Sequence, residues 1–213
     1  MLRKDALSKV KVYIDECTPF DAAGLSLAGD ILPKPVDQYI DALLDEAADS
    51  VRLLAPLFRL SKKNLPDDIV VTAQPLSDGF MYYTLPLPED FLRIANISMS
   101  GWHRTVPEAI AENSEAYKLL RNPHTTAGVS KPAVVVTGNR MELYGSRVPG
   151  ATLVNKEYVH KEYFSDTIDH VQDNLVVDAI CRRCALSVLG IMERTEAWKH
   201  AHECYQEALL KLV

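Results

Sequence analysis

The sequence lacks any window of about 18 or more apolar residues, the length that a membrane-spanning helix needs. It therefore predicts no membrane span. Residues 1–7 continue into alternating charge, without the apolar core or the cleavage site of a signal peptide, so we expect the protein to be made in, and to assemble in, the cytoplasm. Cysteine is scarce: the chain has 4 in 213 residues, too unevenly spread for a disulfide framework.

Motifs that bind phosphate or cofactors are also missing. The sequence contains no Gly-x-Gly-x-x-Gly, no Gly-x-x-x-x-Gly-Lys-Ser/Thr loop and no Gly-x-Ser-x-Gly turn. Only 9 glycines occur in the chain, and the 6 histidines share no spacing typical of a catalytic cluster. We therefore predict no cofactor and no enzymatic activity.

Clustered basic residues are lacking as well. The chain has 29 acidic and 23 basic side chains, and its net charge is −6. This balance argues against a surface that neutralises phosphates, because such a surface needs grouped lysines and arginines. It remains compatible with a wall past which double-stranded DNA slides without being held.

Amphipathic helices are predicted at both ends of the chain, because apolar residues recur there at steps of three and four. In the second helix the apolar stripe includes Ile40, Val51, Leu54 and Phe58. Pro56 predicts a kink or an end near Ala55, since proline removes a hydrogen bond inside a helix. Thr195 is the predicted N-cap of the last helix. The four predicted helices span residues 2–17, 36–60, 175–191 and 195–213.

The middle of the chain, from residue 65 to about 165, predicts short strands, since β-branched and aromatic runs alternate there with turn residues. Gly138-Asn139 predicts a hairpin, and Ser77-Asp78-Gly79 gives a weaker turn signal. A short helix is expected at 114–121, closed by Asn122-Pro123, and residues 18–34 read as a loop. The predicted strands lie at 69–72, 80–85, 94–99, 133–137, 141–144 and 158–164.

These elements together predict an α+β fold. The helical stripes at the two chain ends cannot be buried alone, so we expect them to pack on each other. The prediction is a four-helix unit from residues 1–64 and 171–213, with a small antiparallel β domain of residues 65–170 inserted between its halves.

One cysteine pair invites a zinc interpretation. Cys181 and Cys184 have the Cys-x₂-Cys spacing of metal sites, and His200, His202 and Cys204 follow. However, all five lie within helical patterns, and a thiol on an apolar helix face behaves as a small hydrophobe. We therefore predict no metal centre, and these five residues are the ligands that a site would use.

Two groups of residues are candidates for a protein interface. Trp102, His103 and Arg104 form an aromatic and basic patch on a predicted turn, and tryptophan and arginine are enriched at interfaces. Trp102 could equally close the end of the β core. Arg182 and Arg183 could bind phosphate or a carboxylate-rich partner, or could form a solvated helix edge over apolar surface.

The order of motifs resembles the head-to-tail adaptor, or ring, proteins of tailed phages, and most closely the ring proteins of crAss-like phages. A helix pair ends in Leu53-Leu-Ala-Pro56, and a strand leads into Leu87-Pro-Glu-Asp-Phe-Leu-Arg93. We expect this strand to stop at the prolines and to turn into a short helical turn opened by Glu89 and Asp90. A β segment and two helices follow.

The resemblance implies a structural virion protein without catalytic residues. It would form a closed ring of twelve copies at the head–tail junction, below the portal and above the tail or a second ring protein. Double-stranded DNA would pass through the lumen without sequence readout. A head-to-tail interface closes into a ring only if its rotation fits.

Two alternatives stay open from the sequence. The first is a small metal-binding or enzymatic α+β protein whose site uses His200, His202 and Cys204. The second is an oligomeric scaffold outside phages that shares only the helix–β–helix layout. A neighbouring portal or terminase reading frame would favour the phage interpretation over this scaffold.

Overall fold

A computed structural model describes residues 1–18, 35–76, 79–120, 122, 124–167 and 173–213. The loop predicted at 18–34 lies outside the described residues except for Thr18, as do Ser77 and Asp78 of the weaker turn and Arg121 and Pro123 at the end of the short helix. The helices are α1 (Arg3–Cys17), α2 (Val36–Leu54), α3 (Glu115–Leu120), α4 (Asn174–Ile191) and α5 (Thr195–Leu210).

The chain divides into a helical unit, Met1–Leu60 with Glu162–Val213, and a β unit, Ser61–Lys161. The fold is therefore α+β, with helices from both chain ends and an inserted small β domain, as the sequence predicts. The predicted domain boundaries fall later in the chain at both junctions.

Helix α4 lies at the centre of the helical unit and packs against α1, α2 and α5. Its apolar residues surround the helix, so it buries more than one side, which confirms the expectation from its broad apolar face. The side chain of Asp173 caps it by accepting a hydrogen bond of 2.8 Å from the backbone N–H of Leu175. The buried residues of α4 are Val176, Val177, Ala179, Ile180, Cys181, Cys184, Ala185, Leu186, Val188 and Leu189.

Helix α2 ends at Leu54, directly before Ala55 and Pro56, which confirms the predicted end. A single 3₁₀ turn, Leu57–Arg59, follows the proline. The prediction that Leu54 and Phe58 belong to the buried stripe is wrong, because their exposed fractions are 65% and 73%. The α-helical period no longer applies beyond the break at Pro56, so Phe58 leaves the buried face.

The turn from α4 to α5 differs from the prediction. Arg194, and not Thr195, is the N-cap residue of α5, and Thr195 is its first helical residue. Glu193 turns the chain with a φ of 54°, the left-handed conformation. A Cβ on Gly190 would lie 3.4 Å from the Trp198 ring, so glycine lets this indole approach the end of α4 closely.

The β unit contains two sheets. In the three-stranded sheet the order is β1-β8-β4, and in the five-stranded sheet it is β2-β3-β7-β6-β5. All neighbouring strands are antiparallel except β5 and β6, which run parallel over two residue pairs. The strands are β1 (Lys62–Asn64), β2 (Thr72–Pro75), β3 (Met81–Pro86), β4 (Phe91–Met99), β5 (Ile110–Ala111), β6 (Ala133–Thr137), β7 (Arg140–Ser146) and β8 (Leu153–His160).

Both sheets contribute to one apolar core, which includes Leu85 of β3, Ile97 of β4, Leu143 of β7 and Tyr158 of β8. The five-stranded sheet also buries its other face, where α3 and a smaller apolar cluster cover it. Strand β7 is therefore buried on both faces from Met141 onward.

The hairpin predicted at Gly138-Asn139 is confirmed, since Thr137 pairs with Arg140 across it. Gly138 has a φ of 58°, a conformation that favours glycine. The strand predicted at 69–72 lies too early in the chain, because β2 spans Thr72–Pro75.

The helical turn predicted after the proline pair is wrong. The backbone N–H of Phe91 donates to the carbonyl of Pro88 at 3.0 Å, which closes a tight turn, and β4 begins at once at Phe91. The Asp90 carboxylate does not cap a helix, because it accepts hydrogen bonds from Lys63 and Tyr158 at 2.7 and 2.8 Å. These bonds join the turn to strands β1 and β8.

The strand predicted at 158–164 lies too late in the chain, because β8 spans Leu153–His160. Phe164 is 4% exposed and belongs to the core of the helical unit. Next to it, the guanidinium of Arg52, itself 3% exposed, donates to the carbonyl and to the carboxylate of Glu162. These contacts place the boundary between the units before Glu162 and not near residue 170.

Candidate functional site

Among the described residues of the helical unit, the most exposed large apolar side chains lie where α2 and α5 end. Leu54, the last residue of α2, and Phe58, in the 3₁₀ turn that follows it, are 65% and 73% exposed, and Leu210 and Val213 at the end of α5 are 75% and 92% exposed. We call Leu54, Phe58, Leu210 and Val213 the apolar end of the helical unit. Patches of this kind, when contiguous, mark sites of protein association.

Arg59 joins the segment that follows α2 to the end of α5. Its Nε donates to the backbone carbonyl of Leu212 at 2.6 Å, while its guanidinium lies 5.2 Å from the Phe58 ring centroid. Its Nη1 also donates to the Asp173 carboxylate at 2.9 Å. Phe58 is therefore held beside the last residues of the chain by a half-buried arginine.

Arg182, a predicted interface residue, is engaged inside the helical unit. Its Nε donates to Asp178 at 3.0 Å, and its guanidinium lies 4.1 Å from the ring centroid of Tyr13. Lys9 also pairs with Asp178 at 3.1 Å, and the Tyr13 hydroxyl donates to the same carboxylate. These contacts favour the structural interpretation of Arg182 over a partner contact.

The Asp178 carboxyl titrates under two opposing influences. Burial disfavours its ionised form, but hydrogen bonds from Tyr13, Arg182 and Lys9 outweigh burial and lower the pKa of Asp178 below its ordinary value. The carboxylate is therefore ionised at neutral pH and joins α1 to α4.

The other predicted interface residues divide by exposure. Arg183 is half-buried, with its guanidinium 5.8 Å from the Tyr205 ring centroid. Trp102 is also half-buried and packs against the core of the β unit, which favours the interpretation that it closes that core. His103 and Arg104 are exposed, and His103 Nδ1 lies 3.0 Å from Ser130 Oγ.

The five candidate zinc ligands do not come together as one group, although His200 and Cys204 lie close to each other. Cys181 and Cys184 are fully buried in α4, where burial raises the pKa of each thiol to about 12. Cys184 Sγ lies 3.6 Å from the carbonyl of Ile40, to which it donates. The ring of His202 stacks on Trp198 with centroids 5.3 Å apart.

A different group of donor atoms does converge. Cys17, at the end of α1, meets His200 and Cys204 of α5, and their sulfur and ring nitrogen atoms all lie within 4.8 Å of one another. Cys204 Sγ and His200 Nε2 are 3.9 Å apart. Among the described residues, this is the one group of three such side chains that could hold a metal ion. Cys17 is not among the candidate ligands in the sequence, because only the tertiary fold brings α1 to α5.

A shallow pocket of about 250 Å³ lies at the turn between α4 and α5. Its lining includes Gly190, Glu193, Arg194 and Trp198. The indole and the glycine give it an apolar wall, and it holds one carboxylate and one guanidinium.

Among the described residues of the β unit, Glu142 is the one buried carboxylate. It is 2% exposed and accepts hydrogen bonds from Tyr144 at 2.7 Å and Tyr117 at 3.2 Å. The Tyr117 hydroxyl belongs to α3, so its bond to Glu142 of β7 joins the small helix to the five-stranded sheet.

No family model matches the chain, and no curated protein matches it. Within the described residues, no helix is both long and apolar enough to cross a membrane.

Proposed function

We propose that this chain is a structural subunit of a ring at the head–tail junction of a tailed phage. Twelve copies would lie between the portal and the tail, seal the junction and form part of the channel for DNA. The proposal rests on the resemblance of the helix–β–helix order to the adaptor proteins. The observation that carries it is the exposed apolar end of the helical unit.

The apolar end has the composition of an association surface. Large apolar side chains occupy its exposed positions, and Arg59 lies among them, in keeping with the enrichment of aromatic residues and arginine at interfaces. Burying Phe58 and Leu54 against a neighbouring copy would contribute about 1.5–3 kcal/mol for each side chain. A ring repeats this contact between all neighbouring copies, so a modest stabilisation at each interface adds up over the whole ring.

The net charge of −6 suits a ring around DNA that must move. A lining with an excess of carboxylates does not attract phosphates, so the DNA would pass without being retained. The proposed partners are thus other copies of this chain, the portal protein and the tail or a second ring protein.

The proposal is tested by mixing the purified chain with the portal protein encoded in the same genome and imaging the mixture by electron microscopy. Rings of this chain stacked on the portal are expected. The isolated chain could be a monomer before it binds the portal, so its oligomeric state in solution does not test the proposal.

A matched pair of variants tests the apolar end. Leu54→Glu places a charge in the apolar end, whereas Leu119→Glu makes the same change at a 51% exposed leucine of α3 in the β unit. Leu54→Glu is expected to abolish ring formation on the portal, and Leu119→Glu to leave it intact. If both variants form rings as the wild type does, the apolar end is not the interface between neighbouring copies.

A further inference from the structure

The strongest chemistry outside the proposed association surface is the group of two thiols and one imidazole at the meeting of α1 and α5. His200 and Cys204 are four residues apart in α5, so their side chains share one face of the helix. Cys17, the last residue of α1, contributes the third donor atom. Three donors from two helices are thereby arranged around one point.

We propose that Cys17, His200 and Cys204 form a binding site for a zinc ion, with a water molecule as the fourth ligand. This donor set, two sulfurs and one nitrogen, suits zinc and not magnesium or calcium, which prefer oxygen. The site differs from the Cys181–Cys184 pair considered from the sequence, because it takes its first ligand from α1.

The geometry of the group is close to what zinc requires. With a zinc–sulfur bond of about 2.3 Å and a zinc–nitrogen bond of about 2.0–2.1 Å, a tetrahedral ion holds these two ligand atoms about 3.6 Å apart. Cys204 Sγ and His200 Nε2 are 3.9 Å apart in the structure. For this pair a change of a few tenths of an ångström, within the reach of side-chain rotation, gives the zinc geometry, and Cys17 Sγ lies within 4.8 Å of both atoms.

The surroundings of His200 also fit a metal ligand. Its Nε2 faces the thiol of Cys204, while its Nδ1 faces the Glu203 carboxylate at 3.9 Å. Imidazole ligands of zinc commonly hold a carboxylate on the ring nitrogen that does not bind the metal, which fixes the tautomer. Glu203 lies just beyond hydrogen-bond distance, so a rotation of its side chain would bring it to this nitrogen.

Access to the site is asymmetric. Cys17 is 5% exposed, Cys204 is half-buried, and the His200 side chain is 56% exposed. The ion would enter from the His200 side, where solvent can supply the fourth ligand. Binding would form two zinc–sulfur bonds and one zinc–nitrogen bond, and the two thiol protons would pass to solvent. The ion would join the end of α1 to α5.

The test uses the purified full-length chain, reduced and stripped of metal, titrated with Zn²⁺ against a colorimetric chelator. One zinc per chain is expected, with a rise in the thermal unfolding midpoint. Cobalt is expected to give the visible absorption of a tetrahedral ion with thiolate ligands. Absence of stoichiometric binding of both ions by the folded, reduced chain would overturn the proposal.

Variants of α5 identify the ligands. His200→Gln and Cys204→Ser are each expected to weaken zinc binding at least about a hundredfold, and Glu203→Gln about tenfold. His202→Gln is the matched control, since this histidine stacks on Trp198, and it should bind zinc as the wild type does. Circular dichroism confirms folding. Unchanged binding by folded His200→Gln and Cys204→Ser would refute the assignment.

Discussion

Arg59 donates its Nε–H to the backbone carbonyl of Leu212 at 2.6 Å, and so fastens the 3₁₀ turn after α2 to the end of α5. The same guanidinium pairs with Asp173, which caps α4. One side chain therefore meets the ends of three helices.

Arg59→Met keeps most of the side-chain stem and removes the donors. It is expected to lower the free energy of unfolding by about 1–3 kcal/mol, because a hydrogen bond from a charged group and a partly exposed ion pair are lost. Urea denaturation measures the change. Arg104→Met, at an exposed position of the β unit, is the control and should change little. Equal stability of Arg59→Met and the wild type would show that Arg59 does not fasten these helices.

Acid should destabilise the helical unit through Asp178. The pKa of this carboxyl is lower in the folded chain than in the unfolded chain, whose value is about 3.9. Its contribution is therefore present above that pH and is lost as the pH falls through the folded pKa. Asp178→Asn is expected to be less stable at neutral pH and to lose less of its remaining stability on acidification.

Chemical denaturation at a series of pH values measures this effect. Asp15→Asn, at an exposed position of α1, is the matched control and should follow the wild-type profile. If Asp178→Asn also retained the full acid-dependent loss of stability, the hydrogen bonds around Asp178 would not carry it.

The two glycines of β7 and its hairpin should tolerate alanine differently. Gly145 has a φ of 114°, and a Cβ there would lie 2.9 Å from the carbonyl oxygen of Gly128. Gly138 has a φ of 58° with nothing within 4 Å of such a Cβ. Gly138→Ala is expected to cost about 1–2 kcal/mol of backbone strain, and Gly145→Ala more than that. Thermal unfolding ranks the two, and the reverse order would contradict the packing around Gly145.

The four cysteines should differ in reactivity in the metal-free protein. Burial raises the pKa of the Cys17 thiol to about 11 and those of Cys181 and Cys184 to about 12, and the reactive form is the thiolate. Iodoacetamide is expected to label Cys204 first, and the others only on unfolding. Mass spectrometry of digested samples measures this order. Early labelling of Cys181 in the folded chain would contradict its place in the core.

Much of the helical unit follows from sequence, because the three-to-four spacing and Pro56 are local signals. The Gly138-Asn139 hairpin is predictable for the same reason. Phe164 was assigned to the wrong unit, because an apolar aromatic residue looks the same whether a strand or a helix bundle buries it. The helical turn predicted at Glu89-Asp90 is wrong because Asp90 accepts hydrogen bonds from strands β1 and β8, which are distant in sequence.

The association and metal sites were harder to foresee. Leu54 and Phe58 continue an apolar stripe in sequence, and only the helix end and the absence of a covering neighbour within the described helical unit expose them. Cys17 carries no local motif, and its meeting with His200 and Cys204 depends on the packing of α1 beside α5.

The most direct test of the central claim is electron microscopy of the chain mixed with the portal protein of its own genome, with Leu54→Glu and Leu119→Glu in parallel. The account predicts rings stacked on the portal for the wild type and for Leu119→Glu, and bare portal for Leu54→Glu. Bare portal in every sample, with each chain folded and the portal intact, would contradict it.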